Sequence, residues 1–109
     1  MKWNIEFFNE TVRDETFSFP KKILAKLLNI FDLVEEFGPN LGKPHTDSLG
    51  NGIFEIRAKG EEGIGRSLFC YMKSKNIIIL HSFIKKTQKT PKQDLEIAVK
   101  RKKEIDNEN

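Results

Sequence analysis

Ile77-Ile78-Ile79-Leu80-His81-Ser82-Phe83-Ile84-Lys85-Lys86 is the stretch that decides the fold. Its first four residues are apolar at odd and even positions alike, which predicts an interior strand covered on both faces. Its far end changes character. With a period of two, His81, Phe83 and Lys85 share one face, and Ser82, Ile84 and Lys86 share the other. The strand thus leaves the core and carries cations to one edge of a sheet. Just upstream, Ser74-Lys75-Asn76 is a short hairpin connection to a strand over 66–73. Lys59-Gly60-Glu61-Glu62-Gly63 turns the chain back to another strand over 53–58. Three strands joined by short turns form an antiparallel meander. Gly60, Gly63 and Gly65 lead into a strand rather than a helix, so they mark a hairpin and not a phosphate-binding loop.

Working outward, Thr90 and Pro91 open a C-terminal helix, with Thr90 as N-cap, Pro91 at N1 and Asp94 in the first turn. Leu95, Ala98, Val99 and Ile105 form its apolar stripe. At the other end, Trp3, Ile5 and Phe7 alternate as a short strand, and Asn9 caps a short helix running to about Phe17. Pro20 stands at the first turn of the next helix. There Ile23, Leu24, Leu27, Leu28, Phe31 and Val34 recur at three- and four-residue spacing over about 17 residues, and Gly38-Pro39 ends it. Residues 40–51 read as a loop. The predicted order is β-α-α-β-β-β-α. It is an α+β fold with a twisted antiparallel sheet, two helices on one face and a C-terminal helix.

The chain has 109 residues, 38% hydrophobic and 32% charged, which suits one domain over 1–109 with a single core. No apolar run approaches the ~18 residues of a membrane span. The N-terminal residues lack a secretory pattern, so a cytoplasmic protein is expected. One cysteine, Cys70, and two histidines, His45 and His81, leave no material for a disulfide or a multi-cysteine or His-rich metal site. No cofactor is expected. The net charge of +3 hides a strong asymmetry. Residues 1–56 carry six Lys and Arg against nine Asp and Glu, whereas residues 57–103 carry thirteen against four. Such density favours a polyanionic partner, nucleic acid first. The run Lys100-Arg101-Lys102-Lys103 circles a helix and reads as a solvated face. The group Lys85, Lys86, Lys89 and Lys92 follows the decisive strand and reads as functional.

Cleaving RNA through its own 2′-hydroxyl needs a base, cations to stabilise a crowded phosphorane, and an acid for the leaving 5′-oxygen. Arg matches phosphate oxygens with its fork, and Lys turns acid or base when neighbours depress its pKa. His81 can do acid–base work near neutral pH, although its apolar neighbours make a hydrogen-bonded core histidine the more ordinary reading. Arg57 and Arg66 have ordinary readings too, as salt-bridge partners of Glu55, Glu61 or Glu62. Cys70 and Tyr71 read as core residues. His45 reads as a loop residue or helix cap, since no second ligand lies near it in sequence.

Three blocks together resemble the RelE/ParE toxin superfamily in its HigB-like, phage-associated branch. They are Gly52-Ile53-Phe54-Glu55-Ile56-Arg57, then Gly65-Arg66-Ser67-Leu68-Phe69-Cys70-Tyr71, then Leu80-His81-Ser82-Phe83-Ile84-Lys85-Lys86-Thr87-Gln88-Lys89-Thr90-Pro91. The first half matches more loosely, through element order and Phe37-Gly38-Pro39. The resemblance implies a RelE-like fold and the toxin of a two-component toxin–antitoxin pair. The implied activity is a ribosome-dependent mRNA endonuclease that needs no metal. The implied partners are the ribosome with its mRNA and a helix-turn-helix antitoxin of the HigA/Xre kind. The free toxin is expected to be a monomer, and the complex a heterotetramer.

Carried over residue by residue, the resemblance assigns charge stabilisation to Arg66, to Lys85 or Lys86, and to Arg57, in that order, with His81 fourth. The C-terminal Tyr of some RelE members has no counterpart after Tyr71, and Glu55 stands where some relatives have Lys. The general acid is therefore sought among His81, Lys86 and Lys89. Lys59, Phe83, Lys89 and Lys92 are the expected RNA contacts. A shallow basic groove binds phosphates without sequence choice, so little activity on naked RNA is expected. Two other functions fit the residues. One is a gyrase-directed toxin of the ParE kind, for which the cation cluster has no catalytic purpose. The other is a non-catalytic nucleic-acid-binding phage accessory protein, whose lysines only neutralise phosphates.

Overall fold

The computed structural model describes residues 2–108. Eight elements follow one another: β1 (Asn4–Phe7), α1 (Glu10–Phe17), α2 (Lys21–Phe37), β2 (Thr46–Gly50), β3 (Ile53–Gly60), β4 (Gly63–Tyr71), β5 (Asn76–Lys85) and α3 (Lys92–Glu108). The five strands form one sheet in the order β1-β5-β4-β3-β2. The meander β3-β4-β5 is antiparallel, as the turns require. β1 adds to it in parallel, with Ile5 beside Ile77 and Phe7 beside Ile79. β5 is therefore an interior strand, as its doubly apolar first half demands.

Two cores lie on the two faces of the sheet. On one, α1 and α2 pack Val12, Ile23, Leu27, Phe31 and Val34 against Ile56, Phe69, Ile77 and Ile79. On the other, Ala98 of α3, with Leu95 and Val99, covers Ile53, Leu68, Cys70, Ile78 and Leu80. Each fully buried aliphatic side chain contributes roughly 1.5–3 kcal/mol. The sequence reading of two helices on one face and a C-terminal helix holds. α1 is capped as expected, Asn9 Oδ1 accepting from the Val12 amide at 2.9 Å. α2 ends at Gly38, whose φ of +95° suits glycine and which closes against the Trp3 ring.

Several details depart from the sequence reading, beginning with the sheet itself, which is mixed because β1 joins β5 in parallel. The stretch 40–51 is not all loop: Thr46–Gly50 is an edge strand pairing with β3. It escaped detection because Thr46-Asp47-Ser48-Leu49-Gly50 has one large apolar residue and no alternation. Thr90 does not cap α3; its hydroxyl donates to Glu55 Oε2 at 2.6 Å, and the Pro91 carbonyl accepts the first helical bond from Leu95. Tyr71 is not core: it is 40% exposed at the sheet's far end, edge-on to Trp3.

One irregularity positions the site. Leu68 pairs with His81 and Phe69 with Ile79, so Leu80 is an extra residue in β5. This bulge puts Leu80 and His81 on the same face in succession. Without it, strict alternation would carry His81 and Phe83 to the side of Ile77 and Ile79. With it, Phe83 joins the α3-side core, and Ser82 turns to α1, where it bonds Thr16 at 2.7 Å and Ser67 at 2.9 Å. The Leu80 carbonyl accepts from Arg101 Nη1 at 2.7 Å. Arg101 of the basic run is thus a strut, not a solvated charge.

β4 approaches α2 closely at Gly65, where a Cβ would meet Ile23 Cγ2 at 2.6 Å and Phe19 Cε2 at 3.0 Å. Gly65→Val is expected to destabilise the fold by about 1–3 kcal/mol through overpacking. Urea unfolding checks it, and an unchanged midpoint would show that α2 can shift away freely.

Candidate functional site

The α3-side face of the sheet changes from apolar to charged along one boundary. In register across β3, β4 and β5, Glu55, Leu68 and His81 form one row, Arg57, Arg66 and Phe83 the next, and Lys59, Ile64 and Lys85 the last. Residues level with one another on neighbouring strands share a face. The pleat therefore brings together Arg57, Arg66, His81, Phe83, Lys85 and Lys59, all named from sequence. Of their partners, the sequence names Glu55 for Arg57, and the pair forms; Thr87, Thr90 and Asp94 join them only through the fold.

Arg57 and Arg66 stand side by side but in different settings. Arg66 is fully buried, its Nη2 donating to the Thr87 carbonyl and its guanidinium 5.6 Å from the Phe83 ring centroid. Its Nε and Nη1 have no partner. Burial first, and the facing Arg57 charge second, lower its affinity for its proton below the usual value. Arg57 is only half-buried. Its Nε donates to Glu55 Oε1, while its two terminal nitrogens bond no other described residue. Glu55 has no side-chain exposure and is held on its second oxygen by Thr90. A buried carboxylate that clamps Nε fixes the guanidinium with its fork turned outward.

His81 and Lys85 converge on Asp94 from the first turn of α3. Asp94 Oδ1 lies 2.8 Å from His81 Nε2, and Oδ2 accepts from Lys85 Nζ at 2.8 Å. A carboxylate only accepts, so Nε2 carries the hydrogen. His81 is buried, stacked on Phe83 at 5.3 Å, and its Nδ1 is enclosed without a partner. For Asp94, burial alone would raise the pKa. The hydrogen bonds from Lys85 and His81, and their charges, outweigh it and hold the carboxyl below its usual value. A depressed carboxylate stabilises the fold above its unfolded pKa of about 4, and that stability disappears as pH falls through the lower folded value. Asp94→Asn is thus expected to lose about 1–3 kcal/mol at pH 7. Urea titrations should show the gap to wild type closing below about pH 4. A gap independent of pH would deny Asp94 this role.

The remaining sequence-predicted residues scatter. Lys86 and Lys59 line a shallow cleft of about 230 Å³ with Gln88. Lys89 is exposed in the connection to α3. Lys92 lies off the site, on an outer groove of α3 with Leu95 and Val99. Cys70 is core, its thiol pushed up to about 11 by burial, and offers no nucleophile near neutral pH. Among the described residues, no three His, Cys, Asp or Glu side chains converge as a metal-ligand set, and no helix is long and apolar enough to cross a membrane.

The open part of the site is a cleft of about 390 Å³ between β2, β3 and the connection after β5, lined by Lys43, His45, Glu55, Arg57, Lys59 and Gln88, among others. It has room for a nucleotide-sized group. Its polar walls, and Arg57 with an outward fork, suit a phosphate.

A family model described as phage derived protein Gp49-like (DUF891) matches residues 14–103. That span covers the second half of α1, all of α2 and β2, the whole meander and most of α3. Comparison with curated proteins finds no match.

Proposed function

The chain belongs to the phage-derived Gp49-like family, and from that premise we propose that it is the toxin of a two-component toxin–antitoxin pair, an endoribonuclease that cuts mRNA on the ribosome. The observation that carries this reading is Arg57. It is the one cation of the charged row that is anchored by a buried carboxylate while its fork faces an open cleft. The mRNA phosphate at the scissile bond sits on that fork. The 2′-oxygen attacks phosphorus, and the charge gathering on the phosphorane oxygens strengthens the Arg57 contact in the transition state. Arg66, without solvent exposure, acts from behind as a fixed positive charge, and Lys59 supplies a second cation at the cleft wall. Lys85 is tied to Asp94 and retains partial exposure, which suits an adjacent phosphate. Lys86 and Lys89 extend the same field.

The ribosome supplies what this surface lacks. The cleft is shallow, and nothing in it reads a base edge, so free RNA binds through phosphates in many registers. An mRNA held bent in the decoding site presents one linkage in attack geometry. The neutralising partner in this reading is a helix-turn-helix antitoxin.

The test is primer extension on a defined mRNA in a reconstituted translation system, with and without ribosomes. Cuts that need ribosomes, persist in Glu55→Gln and vanish when Arg57→Ala is added to it support the reading. Equal cutting of naked RNA rejects the ribosome requirement. No cuts, with growth arrest in cells, moves the target to another process such as DNA topology.

A further inference from the structure

We propose that His45 is the general acid of this site, protonating the 5′-oxygen as it leaves; the inference rests on the nuclease reading above. The protein has two imidazoles, and the fold puts them in opposite situations. His81 is enclosed, with Nε2 committed to Asp94 and Nδ1 shut in without a partner. His45 lines the open cleft together with Arg57. Its side chain makes no hydrogen bond to any described residue, so both ring nitrogens are free to serve a substrate.

The register explains the placement. Thr46 pairs with Ile56, and Asp47 with Glu55. One residue further, His45 comes level with Arg57. Thr46 is buried and level with Ile56, which packs on the α2 side, so the pleat turns its neighbours His45 and Asp47 to the face that carries Glu55 and Arg57. The turn is pinned: the His45 and Thr46 amides both donate to the Gly42 carbonyl, at 3.0 and 2.9 Å, and the Gly42 amide donates to Thr46 Oγ1 at 2.8 Å. An acid held on a fixed turn at the end of the arginine row can meet a leaving group whose phosphate rests on that row. The charged groups facing it are Lys43 and Asp47 on its own segment, which pair at 3.9 Å, and Glu55, Arg57 and Lys59 from β3.

The step balances. The 2′-oxygen forms a bond to phosphorus, and its proton passes to water at the cleft mouth. The bond from phosphorus to the 5′-oxygen breaks, and the imidazolium of His45 gives its proton to that oxygen. The products are a 2′,3′-cyclic phosphate and a 5′-hydroxyl, and water reprotonates the imidazole.

A sulfur leaving group separates acid catalysis from every other role. A thiolate departs without a proton, since thiols ionise near pH 8.5. Ribosomes programmed with a synthetic mRNA are given either the ordinary linkage or a 5′-bridging phosphorothiolate at the cut site. His45→Ala, with His45→Gln as the polar control on folding, is expected to cleave the ordinary linkage on the order of 10²–10⁴-fold more slowly than wild type. On the sulfur linkage both variants should approach wild type. An equal defect on both linkages, or no defect on either, overturns the proposal while wild-type cleavage leaves the nuclease reading standing. Absence of cleavage by wild type removes both together. A readout free of turnover is the imidazole Cε1–H resonance of each histidine while a non-cleavable 2′-deoxydinucleotide is added. His45 should shift and His81 should not; an unmoved His45 overturns its placement at the phosphate.

Discussion

Arg57→Ala placed in a Glu55→Gln background will slow cleavage of ribosome-bound mRNA on the order of 10²–10³-fold relative to Glu55→Gln alone, the usual consequence of removing one preorganised donor. The background is needed for a physical reason. Glu55 has no side-chain exposure, and Arg57 is its ionic partner. Removing Arg57 alone strands a buried carboxylate, a loss of about 3–5 kcal/mol, comparable with the whole stability of a small domain. The single variant would therefore fail for two reasons at once. Gln at position 55 keeps its carbonyl oxygen as the acceptor for Arg57 Nε, while its amide nitrogen donates to the Thr90 hydroxyl, which reverses direction, and the charge is gone; that protein should fold and retain activity within about tenfold. Arg57→Lys supplies the charge without the fork and should fall between, since a point charge does not replace two parallel donors. The outcome that sinks the assignment is a double variant as fast as its Glu55→Gln parent.

Arg66→Met should move stability and activity in opposite directions. Arg66 is fully buried, yet it makes one hydrogen bond, to Thr87, and leaves Nε and Nη1 unsatisfied. Each buried donor without a partner costs about 1–3 kcal/mol. Buried charges replaced by apolar residues of similar volume are often neutral or stabilising, by about 1–4 kcal/mol. Met is unbranched like the Arg66 stem, and its sulfur favours the neighbouring Phe83 ring. The expected result is an unfolding midpoint equal to or above wild type, by about 4–8 °C per kcal/mol gained, with cleavage reduced at least tenfold. A protein that keeps so unfavourable a group has a use for its charge. A destabilised Arg66→Met with normal cleavage would reverse that conclusion and make Arg66 a structural residue.

Most of the scaffold was written in periodicity. Ile23 to Val34 repeats at helical spacing and buries the predicted face; Ile77 to Leu80 is apolar on both sides and lies inside the sheet. Asn9, Pro20 and Gly38 mark boundaries because they act through local backbone chemistry. What periodicity lacks is pairing. β2 has no apolar alternation and exists because β3 offers it an edge. The parallel seat of β1 depends on a strand seventy residues away. The same limit governs the site. Arg57, Lys59, Arg66, His81, Phe83 and Lys85 were legible as types, and the register brings them onto one face. Their environments were not legible: nothing local says that Glu55 is buried, that Arg66 is enclosed, or that Asp94 and not solvent receives His81 and Lys85. His45 has no candidate partner close in sequence; its neighbours are in β3.

The extra residue at Leu80 bears on how this chain can change length. Between Ile77 and Leu80 each position is aliphatic, and both sides of the sheet are lined with apolar side chains. Gaining or losing one residue there exchanges one aliphatic for another, and the bulge absorbs the count. From His81 to Lys85 the two sides differ in kind, with imidazole, ring and ammonium on one and hydroxyl and aliphatic on the other. One residue more or fewer there would bury Lys85 under α2 and turn Ser82 toward Asp94. The strand is thus elastic to insertion and deletion in its first half and rigid in its second. Drift in length within such a lineage would collect at 77–80, leaving the spacing from His81 to Asp94 fixed.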